Sequence, residues 1–389
     1  MRSQVLDAPP PLRERLARVA LNLLFEPGDK RVDGFMAGMD ALAFYTALLG
    51  SPRQPDLKDA SDDVATRLAA LHPEDVLDSA SRREIRFVIP GDEEWPTQVE
   101  DLEGQEPVQE RTGTPLGLWA RGSLRLDTLA RSVAVVGSRS ATTYGTDVAG
   151  QIAAGIADGG FAVISGGAIG IDAAAHRGAL AVRGRTVAVL ACGVDRLYPK
   201  ENSRLLQAVL DNGAVISELA PGLPVTRLRF LGRNRVIAAL ARGTVLVQAA
   251  PRSGALNTAN WTTKLNRQLM CVPGPISEIT SFGVLEQVRQ GKGTIVTRGE
   301  EVLELVARPG EYLVDERRGP EKRRDRLTVR HRQVLDGVPV GHGATAESIS
   351  RASGVAFREV ATALLYLEQA GLVERAPGGW RLTPEAVRS

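Results

Sequence analysis

The chain has 389 residues, 43% of them hydrophobic and 24% charged, a composition ordinary for a soluble protein of roughly two to four domains. No apolar run approaches the length of a membrane span, and the N-terminal sequence MRSQVLDAPPPLRERL lacks the apolar core of a secretion signal. Two cysteines and four histidines make neither a disulfide framework nor a zinc pattern. These features predict a cytoplasmic protein that spans no membrane and uses no metal or other cofactor.

The net charge of +2 is the sum of three unlike segments. Residues 1–129 carry 15 Lys and Arg against 23 Asp and Glu, residues 130–308 carry 20 against 12, and residues 309–389 carry 13 against 11. A basic segment inside a nearly neutral chain indicates a polyanionic partner. Because aromatic residues make up only 4%, that partner cannot be held mainly by stacked rings.

The first segment is predicted to begin with helices. LRERLARVALNLLF and GMDALAFYTALLG have apolar residues at helical spacing, residues 51–63 suit a loop, and further helices are expected at 62–71 and 73–80. We therefore expect an N-terminal helical domain over 1–80. EIRFVIPG and PLGLWARG follow as short strands, and the acidic run 92–110 is expected to be a solvated loop.

Residues 81–308 are predicted to form an extended Rossmann-like domain. Its strands are apolar throughout, alternate with helical segments, and so indicate a parallel sheet covered on both faces, a doubly wound α/β fold. The predicted strands are SVAVVGS, FAVISGG, TVAVLACG, AVISE, TVLVQAA and LMCVPG.

Residues 309–327 are charged, contain two proline-centred breaks and are predicted to be a linker, and 328–389 reads as helices followed by a hairpin, the winged-helix pattern. The third of these helices, VAFREVATALLYLEQA, is the candidate recognition helix; it contains Arg358, Glu359 and Glu368 and is not basic. We therefore favour protein contact or intramolecular packing over duplex DNA readout for this helix. The linker cations either touch DNA or are simply solvated; they are Arg317, Arg318, Lys322, Arg323, Arg324 and Arg326.

Ligands of open parallel sheets bind where the strands end, so the residues after each strand are the candidate site. These turns are rich in glycine, serine and cations, which suit phosphate oxygens. In strand order they begin Gly137-Ser138-Arg139, Ser165-Gly166-Gly167, Cys192-Gly193 leading to Lys200, Ser217-Glu218 leading to TRLRFLGRNR, Arg252-Ser253-Gly254, and Val272-Pro273-Gly274.

The sequence motifs that are typical of nucleotide-binding enzymes and of acid–base catalysis are weak or absent. The first turn lacks the G-x-G-x-x-G spacing, no acid follows the second strand, and no phosphate-binding loop of the G-x-x-x-x-G-K-[ST] type is present. His176 lies four residues after Asp172 on a predicted helix, and we favour mutual hydrogen bonding over acid–base catalysis. Trp261 and Phe230 can stack on bases, although packing is the favoured use of each. Cys192 and Cys271 are expected to be core thiols.

The ordered runs closely resemble the DprA/Smf family of DNA-processing proteins of natural transformation. The resemblance spans about residues 85–300 and rests on VAVVGSRSATTYG, SGGAIGIDAAAHRGAL, TVAVLACGVDRLYPKEN, ISE, GRNRVIAAL, SGALNTA and VPGP. It implies an extended Rossmann fold that binds single-stranded DNA, forms a homodimer and loads the RecA recombinase. It also implies an N-terminal helical domain resembling a SAM domain and a C-terminal winged helix.

The resemblance assigns DNA contacts by motif. The residues so implied are Gly137, Ser138, Arg139, Ser165, Gly166, Gly167, Lys200, Asn202, Arg233, Asn234, Arg235, Ser253, Gly254 and Thr258, and Arg252 is added from its placement alone. The chain departs from the family pattern at Ile169, where an arginine is usual, at FLGRNR in place of FPxRNR, and at Gln248 in place of a glutamate.

Together these observations predict sequence-independent binding of single-stranded DNA without catalysis. The competing hypothesis is a nucleotide-processing enzyme, such as a phosphoribohydrolase on a related Rossmann fold. That enzyme needs a carboxylate at the strand ends, where Glu218 and Asp195 are the only acids and neither has an evident partner in the sequence. A third hypothesis is a RecA-binding scaffold whose contact with DNA is incidental.

Overall fold

The computed structural model describes residues 4–50, 67–68, 70–314 and 322–388. Outside this part of the chain lie the predicted loop at 51–63, residues 62–66 and 69 of the predicted helix at 62–71, and the linker residues Arg317 and Arg318. The chain divides into two compact units, Met1–Val314 and Asp315–Ser389.

The first unit is built on a nine-stranded sheet of order β1-β2-β6-β5-β4-β3-β7-β8-β9. From β6 to β9 all neighbours are parallel, while β1 and β2 run antiparallel at one end. The strands are β1 (Ile85–Val88), β2 (Leu118–Arg121), β3 (Ser132–Val136), β4 (Ala162–Ser165), β5 (Thr186–Val189), β6 (Ala214–Ser217), β7 (Gly243–Leu246), β8 (Gln268–Cys271) and β9 (Thr294–Ile295). The predicted doubly wound fold is confirmed.

Helices cover both faces of this sheet, so its central strands are buried on both sides. Alternate residues of one strand serve different layers: Ala134 and Val136 pack against one helical layer, Val133 and Val135 against the other. This two-sided burial explains the apolar strand sequences. The helices are α6 (Thr143–Asp158), α7 (Ile171–Ala181), α8 (Ser203–Asn212), α9 (Arg227–Leu240), α10 (Gly254–Lys264), α11 (Ile279–Arg289) and α12 (Gly299–Val306).

The N-terminal helices belong to the same compact unit and contact the sheet directly. Asn22 accepts from the indole of Trp119 at 3.0 Å and donates to the carbonyl of Glu218 at 2.6 Å. These bonds join the helices to β2 and to the end of β6. The helices are α1 (Gln4–Asp7), α2 (Pro10–Leu24), α3 (Lys30–Met36), α4 (Ala41–Gly50) and α5 (Pro73–Ser81).

The acidic run 92–110 is not the solvated loop that its charge predicts. Residues Thr97–Leu102 form a 3₁₀ helix whose Val99 and Leu102 are buried. Asp92 pairs with Arg15 at 2.6 Å, and Glu94 pairs with Arg86 at 2.8 Å. Part of the run is therefore held by buried apolar residues and by arginine partners outside it, while Glu93, Glu103 and Glu106 are exposed.

The second unit has the predicted winged-helix order of three helices and a two-stranded hairpin, around a core that includes Val334, Ile349 and Leu364. Of the linker cations, Arg323 pairs with Glu385 and Arg324 with Asp336, so these two are neither free nor purely solvated. The elements are α13 (Val329–Asp336), α14 (Ala346–Ser353), α15 (Phe357–Gln369), β10 (Val373–Ala376), β11 (Gly379–Leu382) and α16 (Pro384–Arg388).

No single helix in the described ranges is long and apolar enough to cross a membrane. By length and composition, α3 and residues 41–49 qualify only as a pair, and they are bent by 110° relative to each other.

Candidate nucleic-acid interface

The strand order reverses between β3 and β7, and in this class of fold a nucleotide binds at that point. Here the crevice is filled by Gln248. Its amide oxygen accepts from the N–H of Thr142 at 3.0 Å, and its amide nitrogen donates to the Thr142 hydroxyl at 2.9 Å. A Cβ on Gly145 would lie 2.1 Å from the Gln248 Oε1, so the fit is tight. Gln248 thus occupies the N-terminus of α6, where a nucleotide phosphate would otherwise bind.

Beside this closed crevice, three separate segments bring cations and aromatic rings together. The exposed guanidinium of Arg139, after β3, lies 4.5 Å from the ring centre of Phe230 on α9. The guanidinium of Arg233 lies 5.8 Å from the same ring, and the ring of Tyr198, after β5, lies 6.4 Å away. The predicted meeting of loops at the carboxyl edge of the sheet therefore occurs at Phe230, which the sequence favoured only as a packing residue.

Arg233 lies beneath the loop that follows β4. It is 7% exposed, and its Nη1 donates to the carbonyl of Val189 at 3.2 Å. A Cβ on Gly166 would lie 1.4 Å from that same Nη1, so only glycine leaves room for the guanidinium. Within the described residues the Nε of Arg233 has no hydrogen-bond partner. Burial lowers the pKa of Arg233, while the nearby carboxylate of Asp172 opposes that shift.

Several of the predicted phosphate donors are hydrogen-bonded within the protein. Asp172 is buried and accepts from the N–H groups of Gly166 at 3.1 Å and Ala168 at 3.4 Å. The Ser165 hydroxyl donates to the carbonyl of Val135 at 2.7 Å, and the N–H of Ser138 donates to the carbonyl of Gln248 at 2.7 Å. Buried polar groups of a protein must be hydrogen-bonded, and here internal partners fill that requirement. The expectation that these donors face the ligand is corrected accordingly.

Burial raises the pKa of Asp172, and the positive charge of Arg233 is the largest opposing influence. The acid, the arginine and the glycine loop therefore form one buried unit. Hydrogen bonds join this unit to the loops that carry the exposed cations: the Ile171 N–H donates to the carbonyl of Ser138, and Asn202 donates to the carbonyl of Gly167.

Arg235, expected to neutralise a phosphate, points into the protein instead. It is 1% exposed and donates to both carboxylate oxygens of Glu218, at 2.5 and 2.7 Å, and to the carbonyl of Thr112 at 3.2 Å. Asn234 donates to the carbonyl of Gly254 at 3.2 Å, and Thr258 is also buried. These three predicted site residues stabilise the interior near the edge. Arg233 and Arg235 have different partners because residues two apart on a helix point in nearly opposite directions.

The remaining predicted cations are exposed. Lys200 begins the 3₁₀ turn Lys200–Asn202, and the buried Asn202 ties that turn to the β4 loop by donating to the carbonyl of Gly167 at 3.0 Å. Gly167 needs its glycine because its φ is +69°. Arg252 is exposed at φ +66°, and the Ser253 hydroxyl caps α10 by accepting from the Ala255 N–H. Gly254 is exposed at the start of that helix.

Arg229 forms an ion pair with an acid that is distant in the sequence, so its charge is already paired. Glu26, at the end of the N-terminal helices, accepts two hydrogen bonds from the Arg229 guanidinium, at 2.9 and 2.7 Å. No local pattern signals this pair, since the two residues are 203 positions apart.

The residues considered for catalysis have other uses. His176 does not bond to Asp172; its Nδ1 is 2.7 Å from the Thr186 hydroxyl, and burial lowers its pKa to about 3. Cys192 and Cys271 are buried, and burial raises the pKa of each thiol, to about 11 and about 12. Trp261 is fully buried, as its packing role predicts. Among the described residues no three His, Cys, Asp or Glu side chains group to hold a metal.

Both acids of the enzyme hypothesis have partners. Glu218 is held by Arg235, and Asp195 accepts from the N–H of Gly222 at 2.8 Å and lies 3.7 Å from Arg83. Neither is a free carboxylate poised at the strand ends. The structure thus supplies partners that were not evident from the sequence.

These features define an extended Rossmann-like α/β protein with a winged helix, a closed nucleotide crevice and a cation-bearing edge. Residues 86–307 match the family model for DNA recombination-mediator protein A, and residues 324–379 match the model for the DprA winged-helix domain. The chain belongs to the DNA recombination-mediator protein A (DprA) family.

Comparison with individual proteins gives the same family. The chain is 43% identical to a putative DNA processing protein DprA of Mycobacterium tuberculosis over 311 residues, 79% of either chain. It is 34% identical to protein Smf of Escherichia coli over 255 residues, covering 64% of this chain and 67% of that protein.

Two solved structures of the family are also similar. The structure of DprA from Streptococcus pneumoniae superposes with a TM-score of 0.59 at 26% identity, covering 76% of this chain and 98% of that one. A DprA structure from Helicobacter pylori, described by its single-stranded DNA binding mode, has a TM-score of 0.50 at 25% identity, over 57% and 94% of the two chains.

Proposed function

We propose that this protein binds single-stranded DNA along the carboxyl edge of its parallel sheet, largely independently of sequence, and helps to load RecA onto that strand. The observation that carries the proposal is the convergence of Arg139, Arg233 and Phe230 from separate segments, with Lys200 and Arg252 exposed on the turns after β5 and β7. The single-stranded DNA described for the Helicobacter pylori relative supports the choice of ligand.

The expected contacts are electrostatic. Neutralising one phosphate of a single strand contributes roughly −0.7 to the slope of log K against log salt concentration. With Arg235 and Arg233 both buried, the three exposed cations Arg139, Lys200 and Arg252 predict a slope of about −2.1. No base-edge readout is required for this binding, and affinity should depend little on sequence.

The test is fluorescence anisotropy with a labelled oligonucleotide, titrated at several salt concentrations. The double variant Arg139→Ala/Lys200→Ala should bind much more weakly, with a slope smaller in magnitude by about 1.4. The matched control replaces two exposed arginines at the opposite, amino edge of the sheet, Arg125 and Arg183, and should bind like the natural protein. Equal affinities for the two double variants would refute this edge as the interface.

We propose binding without catalysis, since the two acids near the edge are engaged and Gln248 fills the crevice. Incubation with nucleoside monophosphates should release no free base. Release of base that the Glu218→Gln variant abolishes would instead favour the nucleotide-processing enzyme.

The RecA step is tested by RecA filament formation on single-stranded DNA, with and without this protein. We expect faster loading with the natural protein and not with Arg139→Ala/Lys200→Ala, since the proposed loading requires both partners on one strand. Acceleration that survives the loss of DNA binding would favour a RecA scaffold whose DNA contact is incidental.

The homodimer has a candidate surface. Ile276, Ile279 and Phe282, at the start of α11, are 83%, 61% and 45% exposed. Around a two-fold axis, this apolar patch on one protomer would pack against the same patch on its partner, as in other isologous interfaces. Light scattering should show a dimer for the natural protein and a monomer for Ile279→Asp/Phe282→Asp. The control Val182→Asp, on an exposed apolar residue elsewhere, should remain dimeric.

A further inference from the structure

Phe230 has a place in the interface that packing does not explain. Its ring is half-buried on the first turns of α9, with Arg139 and Arg233 both near its centre. Across the described residues, no hydrogen bond or ion pair restrains the Arg139 guanidinium. The ring at 4.5 Å is therefore the contact that orders it.

The physical basis is the attraction between a guanidinium and the negative face of an aromatic ring, which acts within roughly 6 Å. An arginine on an open loop loses considerable rotamer freedom when it is fixed on a phosphate. A ring that holds the guanidinium before DNA arrives removes part of that cost, which is the general advantage of preorganisation. A leucine in the same place would fill the space without supplying this attraction.

Arg233 adds a second reason for the arrangement. Arg139 contributes to lowering the pKa of Arg233, so the two positive charges repel across the ring. Without the ring, that repulsion would push the exposed Arg139 outward into solvent. The ring lies near both guanidinium groups, and an anion that binds Arg139 also reduces the repulsion.

We propose that Phe230 is a positioning residue for DNA binding, holding Arg139 by a cation–π contact in the place where it meets a phosphate. The inference rests on the proposed function, because it assumes that Arg139 contacts DNA. It assigns Phe230 no direct contact with a base.

A double-mutant cycle tests the proposal in the full-length chain. Affinity for a labelled oligonucleotide is measured for the natural protein, Phe230→Leu, Arg139→Ala and the double variant. Phe230→Leu should weaken binding about fivefold in the natural background and less than about twofold in the Arg139→Ala background. Phe230→Tyr, which keeps the ring, should restore affinity. Phe230→Met provides a second ringless variant of near-equal volume should Phe230→Leu fail to fold.

The outcomes are distinguishable. If Arg139→Ala leaves affinity unchanged, the proposed interface fails and the inference with it. If Arg139→Ala weakens binding but Phe230→Leu and Phe230→Met do not, the interface stands and the positioning role is refuted. A loss at Phe230 that is equally large without Arg139 would mean direct base stacking and would also overturn the proposal.

Discussion

Arg235 and Glu218 form a doubly hydrogen-bonded ion pair in the interior, at 2.5 and 2.7 Å, between α9 and the end of β6. Asn22 bonds the backbone of the same glutamate, so the pair also lies where the N-terminal helices meet the sheet. A buried ion pair of this kind holds elements together only while both partners are present, because each charge is expensive to bury alone.

Removing one partner of that pair should destabilise the first unit strongly. We expect Glu218→Ala to lower the free energy of unfolding by about 3–5 kcal/mol, since the Arg235 charge is left buried without its carboxylate. Urea unfolding followed by circular dichroism measures the effect. Glu286→Gln, which breaks the exposed pair with Arg289, is the control and should change little. Equal stability of Glu218→Ala and the natural protein would contradict this account.

A methyl group at Gly166 should disrupt the interface from beneath. The new Cβ would lie 1.4 Å from the Arg233 Nη1, so the guanidinium must leave its place. We expect Gly166→Ala to weaken single-stranded DNA binding about tenfold or more.

The matched control is Gly34→Ala, on α3, which carries none of the proposed DNA contacts and where a Cβ would meet nothing within 4 Å. Its affinity should be unchanged. Similar behaviour of the two variants in the anisotropy assay would show that the position of Arg233 does not matter for binding.

His176 should make the protein sensitive to mild acid. Burial lowers its pKa to about 3 in the folded state, whereas the unfolded value is about 6.5. Below pH 6.5 the unfolded chain therefore binds a proton that the folded protein does not. Stability falls as pH drops toward 3, by about 1.4 kcal/mol per pH unit from this group.

Urea unfolding at pH 7, 6 and 5 for the natural protein and His176→Gln isolates this effect, because Asp172 and the other acids are common to both. The variant should lose less stability between pH 7 and pH 5. Parallel pH profiles would exclude His176 as the cause.

The DNA affinity should reside mainly in the first unit, since the exposed cations of the interface all precede Val314. We expect a chain ending at Val314 to retain most of its affinity for single-stranded DNA, and the same shortened chain with Arg139→Ala to lose it. Anisotropy measures both. A large loss on shortening would assign the winged helix a DNA-binding role, contrary to the acidic balance of α15.

The fold was accessible from the sequence because it depends on patterns that are local. Six apolar runs separated by helical periodicity require a parallel sheet buried on both faces, and the structure has those strands. The glycine, serine and cation-rich turns were also visible, since the carboxyl ends of parallel strands share one edge.

The use of each side chain at that edge was decided by tertiary structure. Arg233 and Arg235 belong to one motif, yet one lies beneath the glycine loop and the other is paired with Glu218, 17 residues earlier. Arg229 is held by Glu26 from the N-terminal helices, and Gln248 closes the crevice by bonding to Thr142. The sequence by itself determined the fold class and the candidate edge, because periodicity and turn chemistry act over a few residues. Only the tertiary structure decided which cations are exposed at that edge, because ion pairs and burial join residues that are far apart in the chain.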